Sequence, residues 1–95
     1  MNSPDRLDLD SRYEQVFAGI IGFTTATCRS SARGPSIAME IRFDLGQRPR
    51  TRLADFHFIL RDLPKEYQYR LVPRSALLQV SGDAAKLTFL LEPAN

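Results

Sequence analysis

Cysteine, histidine and tryptophan are nearly missing from this chain: it has one Cys, one His and no Trp in 95 residues. A lone Cys28 cannot close an internal disulfide and cannot by itself hold a structural zinc, which favours a reducing compartment and a cytoplasmic protein. A single histidine, His57, would have to carry any triad, general base or metal pair alone. Asp55 lies two residues away and could orient the ring. No Gly-x-Ser-x-Gly elbow supplies a nucleophile, however, and Ser75, Ser81 and Cys28 are remote in sequence.

Glycine-rich phosphate loops and dinucleotide fingerprints are absent as well. The acidic ladder Asp5, Asp8, Asp10 lacks the glycine and the closing glutamate that a calcium loop requires. No apolar run is long enough to span a bilayer, and the first ten residues do not have the pattern of a signal peptide. These gaps point away from an enzyme, a bound cofactor, a metal site and a membrane protein. An unfamiliar catalytic site at His57 and Asp55 is the weakest of the alternatives.

What is present describes one globular domain. Hydrophobic residues make up 43% of the chain and charged residues 25%, with only six prolines and five glycines. Net charge is +2, but it is unevenly spread: residues 29–74 hold ten basic and five acidic side chains, whereas residues 1–28 hold two and four. Arginine supplies eleven of the thirteen basic residues. That bias suits bidentate pairing with carboxylates or phosphates, and GC-rich coding also produces it.

Residues 1–9 are expected to form a flexible acidic leader, with a single α+β domain over 10–95. Ser11 and Glu14 have the spacing of a capping box, and Tyr13, Val16, Phe17, Ile20 and Ile21 build one apolar stripe that predicts an amphipathic helix ending near Phe23. "RSSARGP", residues 29–35, is predicted as a loop. "SIAMEIRFD" then alternates strictly, so Ile37, Met39, Ile41 and Phe43 should face a core.

Alternation resumes at 52–61, predicting a second strand with Ala54, Phe56, Phe58 and Leu60 on one side and Asp55, His57, Ile59 and Arg61 on the other. A turn at 62–66 leads to a third strand with Tyr67, Tyr69 and Leu71 inward. Residues 73–80 fit a short helix or a fourth strand. The strand is preferred, with Ala76, Leu78 and Val80 inward and a turn at "SGDAA" into a fifth strand carrying Leu87, Phe89 and Leu91. The fold class is therefore one N-terminal helix packed on an antiparallel sheet of about five strands. A small curled β-barrel with a helix is the alternative.

Two binding signals remain. "GQRPRTRL" places Arg48, Arg50 and Arg52 at the tip between two predicted strands, about 7 Å apart along one side of an extended chain, close to the spacing of phosphates on a nucleic-acid strand. No aromatic is interleaved with them for base stacking. The second signal is a set of apolar residues at outward positions, Ile59, Val72, Leu77 and Leu90, which need a cover of their own.

Together these favour a small non-enzymatic protein-binding module. Adaptor and inhibitor roles fit it equally, at a size and composition common among phage-encoded inhibitors. Its expected partner is a protein with an acidic surface, and a homodimer is compatible with the pattern. A nucleic-acid-binding domain contacting phosphates through Arg48, Arg50 and Arg52 is the alternative.

Overall fold

Two hairpins with two-residue turns frame the sheet. The computed structural model describes residues 6–18, 26–44 and 56–94. β1 (Ala26–Arg33) turns through Gly34 and Pro35 into β2 (Ser36–Asp44), and Gly34 has a φ of 62°. A positive φ at the first central residue, followed by a proline that must take a negative one, is the sign pattern of a type II′ turn, whose twist matches the flanking strands. No atom lies within 4 Å of where a Cβ on Gly34 would stand, so the glycine serves backbone conformation alone. Further along, β4 (Leu77–Ser81) and β5 (Ala84–Pro93) are joined through Gly82 and Asp83, with Gly82 at φ 61°.

β2 matches its sequence pattern at every position: Ile37, Met39, Ile41 and Phe43 are buried. β1 corrects the loop expected at 29–35. Its core-facing positions hold the small residues Ala26, Cys28, Ser30 and Ala32, opposite Phe43, Ile41, Met39 and Ile37. Small side chains at an edge leave no apolar alternation to see, and pairing with β2 supplies the strand instead.

The sheet is antiparallel, in the order β1-β2-β5-β3, with β4 also paired to β5. Among the described residues nothing joins β1 to the opposite edge, so the sheet is open and the barrel alternative does not hold. β3 (Tyr69–Leu71) pairs with residues 91–93 of β5, and β4 with residues 84–88. The two short strands therefore lie end to end along one edge of β5. Between them Pro73 and Arg74 turn outward, with Arg74 at φ 64°. Ser75 mends the break: its hydroxyl donates to the Val72 carbonyl at 2.8 Å and accepts from the Leu90 N–H at 3.0 Å. Residues 73–80 are thus a turn followed by a strand, not a helix.

α1 (Arg6–Val16) lies on one face of the sheet. It starts at Arg6, well before the predicted capping box. Leu9 extends the stripe of Tyr13, Val16 and Phe17 by one turn, all four are buried, and Ser11 is an exposed mid-helix residue. Ile20, Ile21 and Phe23 lie outside the described residues. Tyr13 meets Phe89 edge to face at 5.6 Å, and Phe17 meets Phe43 at 5.2 Å.

The strand predicted over 52–61 is overturned where it is described. Residues 56–57 are helical, Phe58–Asp62 forms a π-helical turn closed by the Leu63 N–H on the Phe58 carbonyl, and α2 (Leu63–Glu66) follows. Phe56, Ile59, Leu60 and Leu63 fall at i, i+3, i+4 and i+7, so this short run satisfied the helical period as well as the alternating one. Burial selected the helix: Ile59 and Leu63 are both in the core. The chain leaves α2 through Gln68, at φ 65°, whose N–H reaches the Lys65 carbonyl.

Candidate functional site

Parity along β5 decides which way β4 points its side chains. Leu78 lies opposite Leu87 and Val80 opposite Ala85, and both partners are buried core residues. Leu78 and Val80 therefore share the core side of the sheet, as predicted. They are nevertheless 48% and 58% exposed, and Leu77 on the other face is 53% exposed. No other large hydrophobic side chain among the described residues is exposed.

The expectation that Leu78 and Val80 are buried fails because, among the described residues, no element packs over them. α1 packs on β1, while the π-helical turn and α2 pack on β3. A helix about 10 Å across spans roughly two strands set about 4.8 Å apart, so the helical segments among the described residues do not reach every strand of a five-stranded sheet. β4 (sequence LLQVS) also carries no charged residue. Natural edge strands normally hold a charge or a proline against unwanted pairing.

The other site residues read from the sequence are dispersed. Arg48, Arg50 and Arg52 lie outside the described residues. Ile59, expected on the outer face, instead faces the core, where its carbonyl accepts the Tyr13 hydroxyl at 2.8 Å. Val72 and Leu90 are half-buried and joined by a 2.9 Å bond from the Val72 N–H to the Leu90 carbonyl. Leu77 and Leu90 do share the outer face, opposite Thr88 and Ala38 respectively. Leu78 and Val80 were missed as surface residues because alternation reports which face a residue takes and not whether that face is covered.

The outer face is otherwise polar. Arg42 Nε lies 3.0 Å from Glu40 Oε2, and Arg70 Nε lies 2.9 Å from Glu92 Oε1. Arg29 and Arg33 are exposed on β1, on either side of Ser31. Strand parity places no aromatic residue on this face in β1, β2 or β5, so those strands offer no platform for stacking a base.

Cys28 is held in a way that suppresses thiol chemistry. Burial, then the nearby Asp10 and Glu14 carboxylates, push its pKa well above the usual thiol range. Its sulfur is 3.8 Å from Asp10 Oδ1. His57 is exposed at the start of the helical segment, and Asp55 lies outside the described residues. Among the described residues no cluster of three or more His, Cys, Asp or Glu is placed to hold a metal ion. Nor is any helix long and apolar enough to cross a membrane.

What the geometry defines among the described residues is an α+β domain with an open antiparallel five-stranded sheet and an exposed, uncharged edge strand, β4. Comparison with protein-family models, curated proteins and solved structures returns no match.

Proposed function

We propose that this domain is a non-enzymatic protein-binding module, an adaptor or inhibitor, whose contact surface is centred on β4. One observation carries the proposal: the exposed large hydrophobics Leu77, Leu78 and Val80 all fall on a single five-residue edge strand with no charge. A strand of this kind gives a partner backbone hydrogen-bonding groups along its edge and apolar side chains on both faces, the requirements of recognition by strand addition. The suppressed Cys28 thiol supports a binding role over a catalytic one. The buried free thiol is in keeping with a reducing, cytoplasmic setting.

A photo-crosslinking side chain introduced at Gln79, on β4, tests this against the same group at Thr27, exposed on β1 at the far edge. Adducts should form from position 79 and disappear when Leu78→Lys and Val80→Lys are added. Equal adducts from both positions, or adducts untouched by the double substitution, would remove the proposal.

A further inference from the structure

We infer that the occupant of the β4 edge is a second copy of this chain, paired antiparallel through the two β4 strands about a two-fold axis at Gln79. The inference rests on the reading of β4 as a contact surface and specifies what covers it. Its basis is the hydrogen-bonding parity of the hairpin. In a hairpin closed by a two-residue turn, the pair flanking the turn exchanges both backbone bonds, and every second pair after it does the same. Ser81 with Ala84, Gln79 with Lys86 and Leu77 with Thr88 are therefore the bonded pairs of β4 and β5. Leu78 and Val80 turn their N–H and C=O groups the other way, toward the open edge. These groups are symmetric about Gln79, so a second β4 running antiparallel sets Leu78 opposite Val80 of its copy and Val80 opposite Leu78. All four residues then exchange both bonds.

Side chains suit the same register. A two-fold axis normal to the sheet keeps each face on its own side, so the exposed Leu78 and Val80 of one copy meet Val80 and Leu78 of the other in one apolar cluster. Gln79 meets its own counterpart, and a carboxamide is both donor and acceptor, so two of them can satisfy each other. Charge does not oppose the seam, since β4 has no formal charge to repel its copy. The nearest cation in this row, Lys86, sits one strand back. Lys86 of each copy is thus about 14 Å from the other across three strand spacings, beyond the screening length at physiological salt.

The opposite edge explains why assembly stops at two. The Cys28 N–H points outward from β1, and the Glu14 carboxylate accepts it at 2.7 Å. Arg29 and Arg33 add charge along that strand. The β1 edge, with one outward N–H taken by Glu14 and two arginines along it, is a poorer template than the uncharged β4 edge, which favours a closed dimer over a fibre. A seam of two five-residue strands falls short of the roughly 1,200 Å² that stable complexes bury, so the dimer should be reversible and dependent on concentration.

Sedimentation velocity of the full chain, from micromolar to about millimolar, combined with disulfide trapping, tests the inference. The mass should rise from 10.8 kDa toward twice that value and go no further. Val80→Pro should hold the chain at the monomer mass, because it removes an edge N–H without touching the β4–β5 ladder. Under mild oxidation Gln79→Cys should crosslink to its copy at least tenfold faster than Ser81→Cys. Residue 79 faces its own counterpart in a close pair, whereas residue 81 is offset by four residues from its own. A chain that stays monomeric throughout, or equal trapping at 79 and 81, overturns the inference. The binding-module proposal then stands or falls on its own crosslinking experiment, which requires no second copy.

Discussion

Glu14 Oε2 accepts a 2.7 Å hydrogen bond from the backbone N–H of Cys28, so a helix side chain closes a strand edge fourteen residues further along the chain. The bond ties α1 to β1 and leaves β4 as the exposed apolar edge. Replacing Glu14 by Ala strands a partly buried N–H, and a bond to a charged acceptor is worth about 1.5–3 kcal/mol. Urea unfolding of Glu14→Ala should show a loss near the low end of that range, with faster amide exchange at Cys28.

Tyr13 places its hydroxyl on the Ile59 carbonyl at 2.8 Å inside the core while its ring packs on Phe89. Tyr13→Phe keeps the ring and removes the bond, leaving a buried carbonyl short of its donor. The expected cost is about 1–2 kcal/mol of unfolding free energy by denaturant titration, below the roughly 2–5 kcal/mol expected of Ile59→Ala at the other end of the same contact.

Alkaline pH should weaken the fold through two buried acids. Burial raises the pKa of both Cys28 and Tyr13 above the usual values of 9.0 and 10.0. As pH passes those usual values the unfolded chain releases the protons while the folded chain retains them, so the unfolded state binds fewer and stability falls with rising pH. Their contribution is complete below about pH 9 and is lost progressively above it. Melting temperature measured from pH 7 to 11 should fall from about pH 9, and Cys28→Ala should move the onset upward toward the tyrosine range.

Gln68 closes α2 with a positive φ that a side chain disfavours. A left-handed residue other than glycine costs roughly 1–2 kcal/mol, partly offset by the extra chain entropy of glycine, so Gln68→Gly should stabilise the domain by about 0.5 kcal/mol. Thermal unfolding would register this as a rise of a few degrees.

Leu78→Lys with Val80→Lys should leave the melting temperature within a few degrees of the parent, since neither side chain is buried. A large fall would show that the two residues are core and not surface.

Legibility of the fold followed the size of the side chains. β2 could be read in full because four large apolar residues alternate along it, and the Tyr13, Val16 and Phe17 part of the helical stripe was visible for the same reason. β1 was not, since small residues occupy its inner positions and long-range pairing decides its conformation. Residues 56–63 satisfied two periods at once, and only the shape of the core separated them. For the candidate site, the outward side of Leu77 and Leu90 was legible and the exposure of Leu78 and Val80 was not, because cover is a property of the other layer. Ile59 was misplaced together with the strand on which it was expected.

Amide hydrogen exchange at Leu78 and Val80 reports whether β4 is a contact surface. Both N–H groups point toward the open edge, so in the isolated monomer they should exchange fast. In the assembly the protein forms in its native setting, strand addition should slow both by about a hundredfold or more, with Gln79, already bonded to Lys86, changing much less. Unchanged rates at 78 and 80 in that assembly, with protection elsewhere, would place the contact surface away from β4.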